Sequence, residues 1–321
     1  MAVEVVPKVE VDLKKEKPKV FDVLGLGEIV IDLLLKVPQF PRLDEKVYVT
    51  EREKQAGGVT ANFSVGVSRQ GLSVAFIGAV GEDEEGNFLR ARLLQEGVDD
   101  RFLVTRDSKT PVNIVIITEK GEKAILQSEF MRVTLPPKEL IQPSLIQAAR
   151  HLHLTAINFE TALKAVRLAK RYNLGVSLDL ESQVVKDYSK DLPLLLEFVD
   201  FLLPNKQGAS EFTQIQDPKN SSLKLLEYGP EVVIITLGEK GVLLTTQEKQ
   251  ELFPAFKVAN VVDTTGAGDA FNAGFITGIL KGNPIEQSIR RGQATAALKI
   301  QGMGAQEPLP TAKQLSKFLS L

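Results

Sequence analysis

The stretch Val262-Asp263-Thr264-Thr265-Gly266-Ala267-Gly268-Asp269-Ala270-Phe271 holds the residue types and spacing best suited to chemistry. Gly266, Ala267 and Gly268 are small enough to let backbone N–H groups close on a ligand. The helix predicted to begin there aims its positive dipole end at the same place, which makes an anion hole. A phosphoryl group in transfer is stabilised mainly by positioning and by such electrostatics, so this geometry suits its equatorial oxygens. Asp269, in the first turn of that helix, could accept the proton of an attacking hydroxyl. The same residues also suit a plain glycine turn into a helix whose dipole Asp269 complements.

Composition limits the chemistry around that stretch. The chain has 321 residues, 43% of them hydrophobic, enough for a large core. Its 39 Lys plus Arg against 41 Asp plus Glu leave no basic excess to argue for nucleic acid or an anionic membrane. It contains no cysteine, so disulfides, thiol catalysis and thiolate metal sites are excluded. No apolar run reaches the roughly 18 residues of a membrane span and the N-terminus is charged, so a cytoplasmic location is expected.

Other nucleotide-binding patterns fail. Gly25-Leu26-Gly27-Glu28-Ile29-Val30 begins like a dinucleotide fingerprint but has Val30 at the third glycine position. There is no Gly-x-x-x-x-Gly-Lys-Ser/Thr, and neither His-Arg-Asp nor Asp-Phe-Gly occurs. His151 and His153, two apart in a strand-like run, would share one face and read as ordinary strand residues.

The elements that must position Asp269 alternate along the chain. Residues 1–19 mix Val with the charge run Lys14 to Lys19 and read as a solvated tail. Val20 to Gly27 suits a buried strand opening into a site. A helix from Val59 to Gln70, a strand from Ser73 to Gly78 and a helix from Glu84 to Glu96 follow, with Gly71 and Gly97 as C-cap stops. Glu119-Lys120-Gly121-Glu122 between two apolar runs signals a hairpin, part of a small sheet off the main body. Strands are then expected near Leu152–Thr155, Gly175–Asp179, Phe198–Leu203 and Glu231–Leu237, with a helix over Glu160–Tyr172. The last third closes with helices near Ala267–Lys281, Pro284–Lys299 and Thr311–Leu319. This order predicts an α/β fold: a mostly parallel, Rossmann-like sheet with helices on both faces and ligands beyond the strands' carboxyl ends.

The Asp-Thr-Thr-Gly-Ala-Gly-Asp-Ala-Phe stretch resembles the second signature of the ribokinase-like (PfkB) carbohydrate kinases. Gly57-Gly58-Val59-Thr60-Ala61-Asn62, followed by Gly78-Ala79-Val80-Gly81-Glu82-Asp83, is similar to the first signature. Thr236-Leu237-Gly238-Glu239-Lys240-Gly241 looks like the nucleotide-side loop. The resemblance implies a ribokinase-like domain over residues 20–321 with a small β-sheet lid from segments near 36–56 and 107–130. It implies an ATP- and Mg2+-dependent kinase acting on a hydroxyl, primary in the favoured case, of a small sugar. Asp269 would be the base and Gly266, Ala267 and Gly268 the anion hole. Asp32, Gly57, Gly58 and Asn62 would bind the acceptor, and Asn205, Thr236, Gly238 and Gly241 the nucleotide. Asp263 and Thr265, opposite Gly302-Met303-Gly304-Ala305, match positions that hold a monovalent cation such as K+ in some members. A homodimer through the lid is a further implication.

One departure stands out. Pro204-Asn205-Lys206-Gln207-Gly208 matches the start of the family's Asn-x-x-Glu element but has Gly208 where the Glu would fall, with Glu211 about one helical turn further on. A nucleoside kinase and a non-catalytic ligand-binding relative are the alternatives. A base-sized apolar slot would mark the first; the missing Glu at Gly208 motivates the second, and the intact Asp269 and glycine motif argue against it.

Overall fold

The structure is a computed structural model that describes residues 20–120, 122–128 and 133–320. The expected tail over 1–19, with Lys14 to Lys19, lies outside the described residues, as does Gly121 of the expected hairpin. Among the described residues thirteen strands form two sheets: β1 (Phe21–Leu26), β2 (Val30–Val37), β3 (Glu51–Gly57), β4 (Val74–Gly81), β5 (Val98–Arg106), β6 (Val112–Thr118), β7 (Lys123–Leu126), β8 (Ala149–Thr155), β9 (Gly175–Asp179), β10 (Phe201–Leu202), β11 (Val232–Thr236), β12 (Val242–Thr245) and β13 (Gln250–Phe253). The main sheet runs β13-β12-β11-β10-β9-β8-β1-β4-β5, and the small one β3-β2-β6-β7. The main sheet is parallel from β5 to β11, and β12 and β13 add an antiparallel edge.

Strands covered on both faces read as continuous apolar runs, and every residue of β4 is buried. Side chains still alternate. Leu24, Leu26, Val233 and Ile235 enter one core with the helix Phe159–Arg171. Val23 and Ile234 enter the other with Phe63, Phe271 and Phe275, from the helices Val59–Arg69 and Ala267–Leu280. Those two helices touch: a Cβ on Gly66 would lie 2.8 Å from the Ala273 methyl carbon. This places the helix carrying Asp269 directly against the helix carrying Asn62.

Three local results depart from the expected elements. The strand expected at Phe198–Leu203 shrinks to Phe201–Leu202, because the N–H groups of Phe198 and Val199 turn back to Leu195 O and Leu196 O at the end of the preceding helix and Pro204 follows. β5 was not expected: its Asp99, Asp100 and Arg101 suit an edge strand, which charge protects from further pairing. β2 was not among the expected strands either, and it is central in the small sheet between β3 and β6. The hairpin is present, with β6 and β7 antiparallel. His151 and His153 are buried in β8 and both bond the Ser177 hydroxyl at 2.8 Å, while His153 stacks on Phe63. Burial pushes His151 down to about 3 and His153 well below the usual value. Among the described residues no helix is long and apolar enough to cross a membrane.

Candidate active site

Asp269 sits in the first turn of the helix Ala267–Leu280, whose N-cap is Gly266 with φ of 74°. A Cβ on Gly266 would come within 3.0 Å of the Ala305 methyl carbon, so both conformation and space favour glycine there. A Cβ on Gly268 would meet nothing within 4 Å, so this side of the turn is open. No described carbonyl takes the N–H of Gly266 or Gly268, whereas that of Ala267 reaches Thr264 O at 3.2 Å. Two of the three expected anion-hole residues therefore keep free donors at a helix N-terminus.

The Asp269 carboxylate is buried and accepts a hydrogen bond from Asn62 Nδ2 at 2.7 Å. Asn62 is oriented in turn by Gln306, whose Nε2 donates to Asn62 Oδ1 at 3.0 Å. Burial is the main reason Asp269 is pushed up to about 7, and the nearby Glu28 carboxylate adds to it, while the Asn62 bond and Lys299 pull the other way. Such a carboxyl is half ionised near neutrality.

The residues expected on the acceptor side are brought together by close approach of backbone. A Cβ on Gly57 would lie 2.1 Å from Asp32 Oδ2, so only glycine lets that carboxylate lie against β3. Gly58 has φ of 99°, and a Cβ there would strike Glu28 O at 2.7 Å. Asp32 accepts from Asn113 Nδ2 at 3.2 Å, across the β2–β6 pair, and burial raises its pKa. The helix Val59–Arg69 has no side-chain cap of its own; Glu28 supplies one from β1's end, accepting Val59 N–H at 2.9 Å and the Thr155 hydroxyl at 2.7 Å. The structure thus gathers Asp32, Gly57, Gly58, Asn62 and Asp269 along one run of packed elements.

On the other side, Asn205 and Thr236 are bridged at the carboxyl ends of neighbouring strands. Asn205 caps the helix Lys206–Thr213, its Oδ1 accepting Gly208 N–H at 2.7 Å. Gly238 takes φ of 60° with open space around it, and Gly241 φ of 100° where a Cβ would lie 1.9 Å from Phe253 O. Position 208 has no room for a side chain: a Cβ would be 2.4 Å from Leu180 O. Glu211 does not take over the missing carboxylate's place, since it is held by the Ser182 hydroxyl and by Gln207 Nε2 at 2.8 Å.

Several site residues were not singled out from the sequence. Glu28, Asp179 and Glu181 form an acidic group with Asp269. Burial first, and then their mutual repulsion, pushes Asp179 and Glu181 well above the usual range. Asp179 ends β9 and accepts from Asn272 Nδ2 at 2.8 Å; its place at a parallel strand's carboxyl end was the available signal. Lys123 of β7 donates to the Thr265 hydroxyl at 2.6 Å, joining the small sheet to the loop before Gly266.

The two positions matched to a monovalent cation are occupied by donors. Asp263 Oδ1 accepts from the amide and hydroxyl of Thr265 at 2.9 and 2.7 Å, and Oδ2 accepts from Gly304 N–H at 2.9 Å. The Asp263 carbonyl takes Lys299 Nζ at 2.8 Å. Burial opposes ionisation of Asp263, but these donors together hold it below its ordinary value. This donor set does not fit a free cation.

The signature of the pfkB family of carbohydrate kinases matches residues 21–312. The chain belongs to that family. It is accordingly a phosphotransferase with an alcohol group as acceptor. A ribokinase from Haemophilus influenzae is 31% identical over 302 residues, covering 92% of this chain and 97% of the relative. A nucleoside kinase from Methanocaldococcus jannaschii is 28% identical over 289 residues, covering 89% and 92%. The structure of Arabidopsis thaliana ribokinase complexed with ribose and ATP superposes with a TM-score of 0.82 at 23% identity, covering 94% of this chain and 99% of that one. The large mostly parallel sheet with its small separate sheet is thus the ribokinase-like fold.

Proposed function

We propose that this pfkB-family enzyme moves the γ-phosphoryl group of ATP to a hydroxyl, primary in the favoured case, of a small sugar, with Asp269 as general base. The observation that carries the reading is the state of Asp269: a buried carboxylate, fixed by Asn62 at 2.7 Å beside an open helix N-terminus and tuned to about 7. A base so tuned is available at neutral pH yet strong enough to take an alcohol's proton as its oxygen attacks.

Asp32 and Asn62 supply hydrogen-bonding groups for sugar hydroxyls, and Gly57 and Gly58 let the backbone approach them. The acceptor oxygen then gives its proton to Asp269, and the N–H groups of Gly266 and Gly268 take up charge on the phosphoryl oxygens. Asn205, Thr236, Gly238 and Gly241 form the nucleotide side. The small sheet would act as a lid that limits water at the transfer point, and its Lys123–Thr265 contact joins it to the loop before Gly266.

Mg2+, when bound with the nucleotide, supplies neutralising charge at the β- and γ-phosphates. Among the described residues no group of three or more His, Asp or Glu side chains is placed to hold a metal by itself, which suits an ion brought with the nucleotide and held by one protein carboxylate. The Glu181 carboxylate makes no hydrogen bond or ion pair among the described residues and has Glu28, Asp179 and Asp269 as charged neighbours, so it would hold the ion, directly or through water.

The test is ADP release from MgATP across ribose, fructose, 2-keto-3-deoxygluconate, inositol, adenosine and other nucleosides, with Asp269→Asn as control. Turnover of a sugar that is lost in the variant supports the reading. Turnover that survives the substitution removes Asp269 from the base role. Preference for a nucleoside over every sugar makes the enzyme a nucleoside kinase, the reading to which the 28% identical relative gives weight.

A further inference from the structure

We infer that Lys299 is a built-in substitute for a monovalent cation at the transfer site, so that the enzyme works without potassium. The inference rests on the proposed role of the Asp263–Asp269 loop in phosphoryl transfer, and three observations support it.

The first is burial. Lys299, the last residue of the helix Ile285–Lys299, is 0% exposed. Lysine is almost never fully buried unless its charge is paired or used. The second is what the ammonium touches. Nζ donates to Asp263 O at 2.8 Å and lies 3.9 Å from Asp263 Oδ2. Both oxygens belong to the residue that starts the loop into Gly266. A compact ammonium carries the same charge as an alkali ion and meets the same carbonyl oxygen. The third is the saturation of the surroundings. Each oxygen of Asp263 already has a donor, so a second cation would have to displace Lys299 or face it.

The tether has a clear structural effect. Ile300 O accepts Val262 N–H at 2.8 Å and Asp263 N–H at 3.3 Å. With Lys299 added, two consecutive residues of the helix end hold the loop before the anion hole. The same positive charge acts on Asp269 and favours its ionised form. Lys299 is therefore a positioning residue. Unlike a free ion, it is not in exchange with the surrounding salt.

The experiment compares the full chain in KCl, RbCl, CsCl and tetramethylammonium chloride at one ionic strength. The readouts are melting temperature, MgATP binding and turnover of the best acceptor. The wild type is expected to vary less than about twofold in turnover, with one melting temperature across the four salts. Lys299→Ala is expected to lose at least tenfold in turnover in tetramethylammonium and to recover in KCl or methylammonium chloride. Lys299→Met, which fills the space with an uncharged chain, should show the loss without the recovery. Wild-type turnover or melting temperature that rises specifically with K+ overturns the proposal. So does a Lys299→Ala protein indifferent to every added cation. If Lys299→Ala does not fold, the wild-type comparison still decides. Absence of turnover on all acceptors would count against the kinase reading alone, because the melting and nucleotide-binding readouts in the four salts still report on a cation site.

Discussion

Asn62 holds both ends of its amide in use: Nδ2 donates to Asp269 at 2.7 Å, and Oδ1 accepts from Gln306 at 3.0 Å. A donor to a carboxylate favours its charged form, so Asn62 lowers the pKa that burial raises. Asn62→Leu should therefore move the acidic limb of the pH–kcat/KM profile upward from about 7 and reduce kcat at pH 7 by roughly 10-fold or more. An unmoved limb with a reduced rate would mean that Asn62 serves only the acceptor.

Asp269→Asn should reduce turnover by about 10²–10⁴-fold while MgATP binding persists. The same variant should be more stable than the wild type at high pH. The folded pKa of Asp269 is raised, so the stability linked to its protonation is present at low pH and lost as pH rises through about 7. Asp179 and Glu181 shift in the same direction. Melting curves should show the variant's advantage growing between pH 5 and pH 8, at roughly 2–4 °C per kcal/mol. A variant no more stable than wild type at pH 8 would contradict the raised value.

Gly208→Glu reintroduces the carboxylate that the family's Asn-x-x-Glu element carries, yet it should harm the protein. Its Cβ would sit 2.4 Å from Leu180 O, a backbone atom that cannot turn aside. Overpacking of this kind costs about 1–3 kcal/mol, and the melting temperature should fall with no gain in Mg2+ affinity. A gain in affinity at unchanged stability would show that the loop yields.

Gly57→Ala tests the acceptor side separately. The added methyl carbon would lie 2.1 Å from Asp32 Oδ2 and force that carboxylate away from β3. Acceptor KM should rise about 10-fold or more with MgATP affinity unchanged, a shift of at least roughly 1.4 kcal/mol. Equal loss on both substrates would place Asp32 outside the acceptor pocket.

How much of this was legible in the sequence depends on what each residue's signal was made of. Gly57, Gly58 and Gly266 were readable because a glycine constrains backbone locally, and each is found where a Cβ would collide or φ is positive. Asp269 was readable from its place after a glycine turn. Lys299 was not: it ends an amphipathic helix, where a basic residue ordinarily complements the dipole, and only tertiary packing turns it inward. Glu28 was hidden inside a failed dinucleotide pattern, and its cap on Val59 spans 31 positions. Most parallel strands of the main sheet were legible as apolar runs, whereas β5 was obscured by Asp99, Asp100 and Arg101.

Asn62 and Asp269 are 207 positions apart in the chain, and Gln306 lies 244 positions beyond Asn62. At a synthesis rate of about 5–20 residues per second, the ribosome needs roughly 10–40 s to go from one partner to the other. Through that interval the nascent chain holds Gly57, Gly58 and Asn62 without Asp269. The apolar surface around Phe63 that Phe271 and Phe275 later cover is exposed for the same time. A growing polypeptide of this order cannot complete the Asn62–Asp269–Gln306 arrangement until nearly its whole length has been made.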